Sequence, residues 1–137
     1  MNHRIVLRSA AVVATLYGLI LVFAPNTLMS MYGSPAVENS GMYFAMVFGA
    51  MLLGWAVMNW AASNAPAIAE IHYVLLGNLV AEGAGFLVTL YRQLTHAGAP
   101  ESGWINVGIF LVFTALFAHQ YLASPAGYKL HARTRPA

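Results

Sequence analysis

Four long apolar stretches alternate with short polar breaks along the chain. Residues 4–24, RIVLRSAAVVATLYGLILVFA, open with two arginines and are then interrupted only by Ser9 and Thr15. Residues 41–62, GMYFAMVFGAMLLGWAVMNWAA, carry no charge. Residues 67–91 are apolar in bulk but include Glu70, His72, Asn78 and Glu82. Residues 102–124, SGWINVGIFLVFTALFAHQYLAS, are again uncharged at neutral pH apart from any charge on His119. A helix needs about 20 apolar residues to cross the hydrocarbon core. Lipid offers no partners to the backbone, so such segments can satisfy their amides only as helices. The expected fold is therefore all-α. It is a transmembrane up-down four-helix bundle in a single membrane domain, with spans near 4–24, 41–62, 68–91 and 103–123.

The breaks define the turns. Pro25, Gly33, Pro35 and Asn39 interrupt helix between the first two spans, while Leu28, Met29, Met31 and Tyr32 keep that loop partly apolar. Its expected place is the headgroup zone, which favours tyrosine. The link at residues 63–66, SNAP, is short, and short links make antiparallel neighbours. The first stretch has the basic start of a signal peptide. No A-x-A cleavage pattern follows it and Pro25 stands at its end, so it reads as a retained span. VATLY at 13–17 and VTLY at 88–91 each precede a proline, Pro25 and Pro100, a weak sign of two helical hairpins.

Composition agrees with lipid as the solvent. Charged residues are 7% of the chain, against about 25% in soluble domains. Cysteine and aspartate are absent, which excludes disulfides, thiolate metal sites and thiol catalysis. A net charge of +2, thinly spread, argues against nucleic acid as a partner. Arg4 and Arg8 fall on the same side as Lys129, Arg133 and Arg135 if the chain crosses four times. Lys and Arg collect on the cytoplasmic side, so both termini are expected in the cytoplasm. Trp55 and Trp60, near the end of the second span, are expected in an interfacial aromatic belt.

Helices in lipid approach through small residues. Three spans carry ladders at spacing four: Ala10, Ala14 and Gly18; Gly41, Ala45 and Gly49; Gly77, Ala81 and Gly85. The fourth has no such ladder and is bulky with Phe110, Phe113 and Phe117, so it is expected to pack loosely or to face a partner.

Polar groups inside a span are costly and usually carry a role. Asn78 and Glu82 are four residues apart, hence on one helix face. Glu82 lies about 21 Å along the third span, at the depth of Tyr17. The expected arrangement has Glu82 bonded to Tyr17 and Asn78. It acts either as a clamp between helices or as the centre of a site for a proton, a cation or a polar headgroup. His72 and His119 fall at matching depth on adjacent spans, the requirement for a bis-histidine haem b. Interfacial hydrogen bonding by each imidazole is the plainer account, and no cofactor is expected. Glu70 and His72, two residues apart, face opposite ways and cannot share a metal without distortion. No serine–histidine–acid set or glycine-rich phosphate loop appears, so no catalytic residue is assigned.

The apolar first span ending in Pro25, the Tyr32–Gly33 turn, FGAMLLGW at 48–55 and a third span carrying Asn78 resemble the small uncharacterised four-helix integral membrane proteins of bacteria. The resemblance implies a fold and a multi-pass place in the inner (cytoplasmic) membrane, and no activity. Short loops and few polar groups point first to a non-enzymatic accessory or structural subunit. Its partners would be the bilayer and other membrane subunits or further copies of itself. A small-molecule or ion-binding or transport bundle centred on Glu82, with Asn78 and Tyr17, is the alternative. A haem-binding redox protein using His72 and His119 is the third.

Overall fold

The computed structural model describes residues 2–124. Its helices are α1 (His3–Phe23), α2 (Pro25–Met31), α3 (Asn39–Ala62), α4 (His72–Thr95) and α5 (Gly103–Ala123). A 3-10 turn, Ile68–Ile71, leads into α4. Among the described residues every regular element is helical. Four helical segments, α1, α3, Ile68–Thr95 and α5, are long and apolar enough to cross a membrane. Each contains most of one expected span. The basic tail with Lys129, Arg133 and Arg135 lies outside the described residues.

The segment expected as an irregular loop contains a fifth helix, α2. Pro25 occupies its first turn, where the missing N–H has no partner to lose and the fixed φ suits a helix. Ala24, at φ −149° and ψ 56°, turns the chain out of α1 so that α2 can start in a new direction. Gly33 then takes φ 64°, a conformation glycine adopts without a Cβ clash. The Asn26 side chain holds the return: it accepts from the Val37 N–H at 2.8 Å and donates to the Val37 carbonyl at 3.2 Å. The segment after α2 is thereby tied back onto it.

The long helices pack as two close pairs, α1 with α3 and α4 with α5. The first pair touches backbone to backbone. A Cβ on Gly49 would lie 2.9 Å from the Gly18 carbonyl oxygen and 2.8 Å from Leu21 Cβ. A Cβ on Gly18 would lie 3.0 Å from the Gly49 carbonyl oxygen. Of the sequence ladders, these two glycines are the rungs that make the contact. Gly77 faces open space, and Gly41 meets only Val37 of its own approach loop.

The last helix, expected either to pack loosely or to face a partner, packs closely on one side and leaves Ile105, Val112 and Leu122 exposed. Phe117 is fully buried and Phe113 nearly so, and the Phe110 ring lies where a Cβ on Gly85 would be, 2.5 Å away. The glycine of α4 makes room for the aromatic of α5, so small and large residues interlock across the pair. This is why a helix without its own ladder packs closely.

The pairs join at the N-terminal end of α1. Val6, Leu7 and Ala10 of α1, Ile71 and Leu75 at the start of α4, and Phe113 and Phe117 of α5 form one buried cluster. The short 63–66 link was expected to make α3 and α4 close neighbours, but they are not among the helix pairs in extended backbone contact. Side chains bridge them instead. Arg8 closes this end, donating to Ser63 Oγ at 3.2 Å and Asn64 Oδ1 at 3.3 Å, with its guanidinium 5.4 Å from the Trp60 ring centre.

Candidate functional site

Towards the α2 end the two helix pairs leave space between them. A cavity of about 790 Å³ lies there, with walls from all five helices. Its lining is almost wholly apolar and strongly aromatic: Phe44, Phe48 and Trp55 from α3 face Phe110 and Phe113 from α5. Ala10 and Ala14 of α1, Ala45 of α3, and Ala81 and Gly85 of α4 also line it. These are ladder positions. Their small side chains lie along the walls, so the stripes that bring helices together at Gly18 and Gly49 also leave this volume open.

The cavity is not sealed. Phe44 and Met51 both line it and are each 67% exposed. It therefore opens along α3, on the edge where α3 and α4 have no extended backbone contact.

One carboxyl faces this space. Glu82 of α4 lines the cavity and makes no hydrogen bond or ion pair with a described residue. The expected bonds from Glu82 to Tyr17 and Asn78 are absent, because both partners are engaged elsewhere. Tyr17 does line the cavity, but its hydroxyl lies 2.6 Å from that of Tyr32. Tyr32 in turn donates to Asn106 Oδ1 at 2.7 Å. With that hydrogen committed, Tyr17 is the donor to Tyr32. Ser102 Oγ donates to the Tyr32 carbonyl at 2.7 Å. This network ties α1, the end of α2 and α5 together across one end of the cavity. Burial, and then the Tyr17 hydrogen bond, hold the Tyr32 phenol above its usual pKa range.

Asn78 is not a cavity residue. It is fully buried and makes four hydrogen bonds. Its Oδ1 accepts from Trp55 Nε1 at 2.8 Å and Asn59 Nδ2 at 3.1 Å; its Nδ2 donates to Asn59 Oδ1 at 2.9 Å and the Val74 carbonyl at 2.8 Å. That is the full capacity of an amide side chain, two donors and two acceptors. Asn78 is a saturated strut between α3 and α4. Trp55 donates to this strut and forms cavity wall, while Trp60 is half-exposed. The two asparagines are 19 residues apart in sequence, so no local pattern marked them as a pair.

The histidines lie away from the cavity. His72 begins α4, half-buried, with its ring stacked on Tyr121 at 4.4 Å between centres. His119 is exposed on α5. Among the described residues no group of three or more His, Asp or Glu side chains stands close enough to hold a metal. Sequence reasoning missed Tyr32 and Asn106. Tyr32 was read as a headgroup anchor, and Asn106, an amide side chain early in an apolar span, was the signal that could have drawn attention.

A family described as a domain of unknown function, DUF8292, matches residues 2–124 of the chain. Neither a curated protein nor a solved structure matches.

Proposed function

As the chain belongs to the DUF8292 family, whose function is unknown, we propose a role from the cavity: reversible binding of a membrane-dissolved lipophile, non-enzymatically, with Glu82 as the polar contact. One observation carries the reading: an apolar cavity of about 790 Å³ has an unpartnered carboxyl in its wall. Binding sites for small molecules fall in this size range, mostly apolar with a few placed polar groups. The opening along α3 suits a ligand that arrives sideways from the bilayer. We further place the protein in the bacterial inner membrane as a four-span bundle with both termini cytoplasmic. Four apolar helical segments and the distribution of arginine and lysine support that placement.

Extraction in mild detergent followed by native mass measurement tests the proposal. A bound mass in the lipid or small-lipophile range is expected. It is lost in Ala81→Trp, where an indole would fill the cavity from α4. The same mass with Ala81→Trp as without it overturns the proposal. The accessory-subunit reading draws on a docking face of α5, which packs on α4 but leaves Ile105, Val112 and Leu122 exposed; stoichiometric co-purification of other membrane chains is the result that would favour it. A Soret band lost in both His72→Ala and His119→Ala would favour the haem reading.

A further inference from the structure

We infer that the preferred ligand is a lipophilic amine, its nitrogen bound to Glu82 and its chain among the cavity aromatics; this rests on the lipophile-binding reading above. The argument is one of charge and valence. Among the described residues no lysine, arginine or histidine lines the cavity, so an anionic headgroup would meet Glu82 with no compensating cation from them. Fatty acids and acidic phospholipids are thereby disfavoured. The donors of Tyr17, Tyr32 and Trp55 are already engaged, which leaves Glu82, the one acid among the described lining residues, without a donor from those neighbours.

A carboxyl without a partner in an apolar wall is costly. An amine meets that need. As ammonium and carboxylate, nitrogen and carboxyl oxygen form a charge-assisted hydrogen bond, about twice as strong as a neutral one. Phe48, Trp55 and Phe110 supply ring faces, which attract a cation more strongly when water is excluded. A neutral alcohol would gain the hydrogen bond alone. Selectivity for amine over alcohol of equal chain length is therefore expected at about tenfold, or roughly 1.4 kcal/mol.

Trp55 provides the reporter. Trp60→Phe with Trp104→Phe removes the other two indoles, which are 51% and 49% exposed and do not line the cavity. This protein in phosphatidylcholine nanodiscs is titrated with dodecylamine, dodecanol and dodecanoate, each bromine-tipped to quench Trp55 on contact. Concentrations are expressed as mole fraction in the bilayer. The amine is expected to quench saturably at about one tenth the mole fraction of the alcohol, with the carboxylate weakest. Glu82→Gln, with its thermal midpoint checked against the parent, should bring amine and alcohol together. Equal affinity for amine and alcohol in the parent, or an amine preference that survives Glu82→Gln, overturns the inference while leaving lipophile binding intact. Failure of all three probes to saturate overturns both.

Discussion

Asn59 and Asn78 exchange a pair of side-chain hydrogen bonds between α3 and α4, at 3.1 Å and 2.9 Å, with both residues fully buried. Two helices that lack extended backbone contact are thus joined by this amide pair together with the Trp55 indole. Asn78→Leu strands the Asn59 amide, while Asn59→Leu takes two of the four bonds of Asn78, and an unsatisfied buried polar group costs about 1–3 kcal/mol. Replacing both removes the two amides together and leaves only Trp55 Nε1 without its acceptor. A double-mutant cycle read by thermal unfolding in detergent should give a coupling of about 1–2 kcal/mol, the upper part of the range for such bonds in membranes. Asn78→Leu should be the worse single change, because it also orphans Trp55 Nε1. Additive effects would contradict the strut.

Gly49 should tolerate no side chain. Its Cβ would meet the Gly18 carbonyl and Leu21 Cβ below 3.0 Å, and a backbone oxygen cannot swing aside. Gly49→Val should lower stability by about 1–3 kcal/mol through overpacking. Gly77→Ala, where the space is open, should be neutral or slightly stabilising by helix propensity. Thermal midpoints of the two variants compared in one detergent check the contrast.

Glu82 should prove dispensable for folding. It has no bond with a described residue to lose, so Glu82→Gln is expected to leave the unliganded protein's thermal midpoint unchanged and Glu82→Leu to raise it. A carboxyl acting as a helix clamp would give the reverse, a marked loss in Glu82→Leu. This measurement separates a clamp from a site independently of any ligand.

Tyr32 gives the protein an alkaline limit. Its folded pKa is raised, so the folded state holds that proton more tightly than the unfolded state does. The linked stability is complete below the unfolded value of about 10 and is lost as pH rises above it. Stability should fall beyond about pH 10 in the parent and fall less steeply in Tyr32→Phe. Unfolding midpoints taken across that range for both proteins provide the check.

Topology has a direct test. Reporter fusions after Ala62, Gly98 and Ala137 should read cytoplasm, periplasm and cytoplasm in that order. The third span is the vulnerable one, because Glu82 near its middle adds about 2.5–3.5 kcal/mol to insertion. Any other order of signals sinks the four-span arrangement.

Length and hydropathy were enough to read four apolar helices and their approximate bounds, because covering backbone amides in lipid leaves a chain little choice. Gly18 and Gly49 were legible too, since close approach demands small residues at a regular spacing. The pairing of helices was not. Whether Gly85 faced another glycine or a phenylalanine depends on which helix lies opposite, and spacing along one helix carries no information about its neighbour. The candidate site divides in the same way. A carboxyl in an apolar span marks itself, so Glu82 stood out in the sequence. Only the tertiary arrangement decided that Asn78, on the same helix, turns to Asn59 and Trp55, that Tyr17 turns to Tyr32, and that Glu82 faces an aromatic-lined cavity. Hydrogen-bond capacity is finite, and which partner takes it depends on distances between residues far apart in the chain.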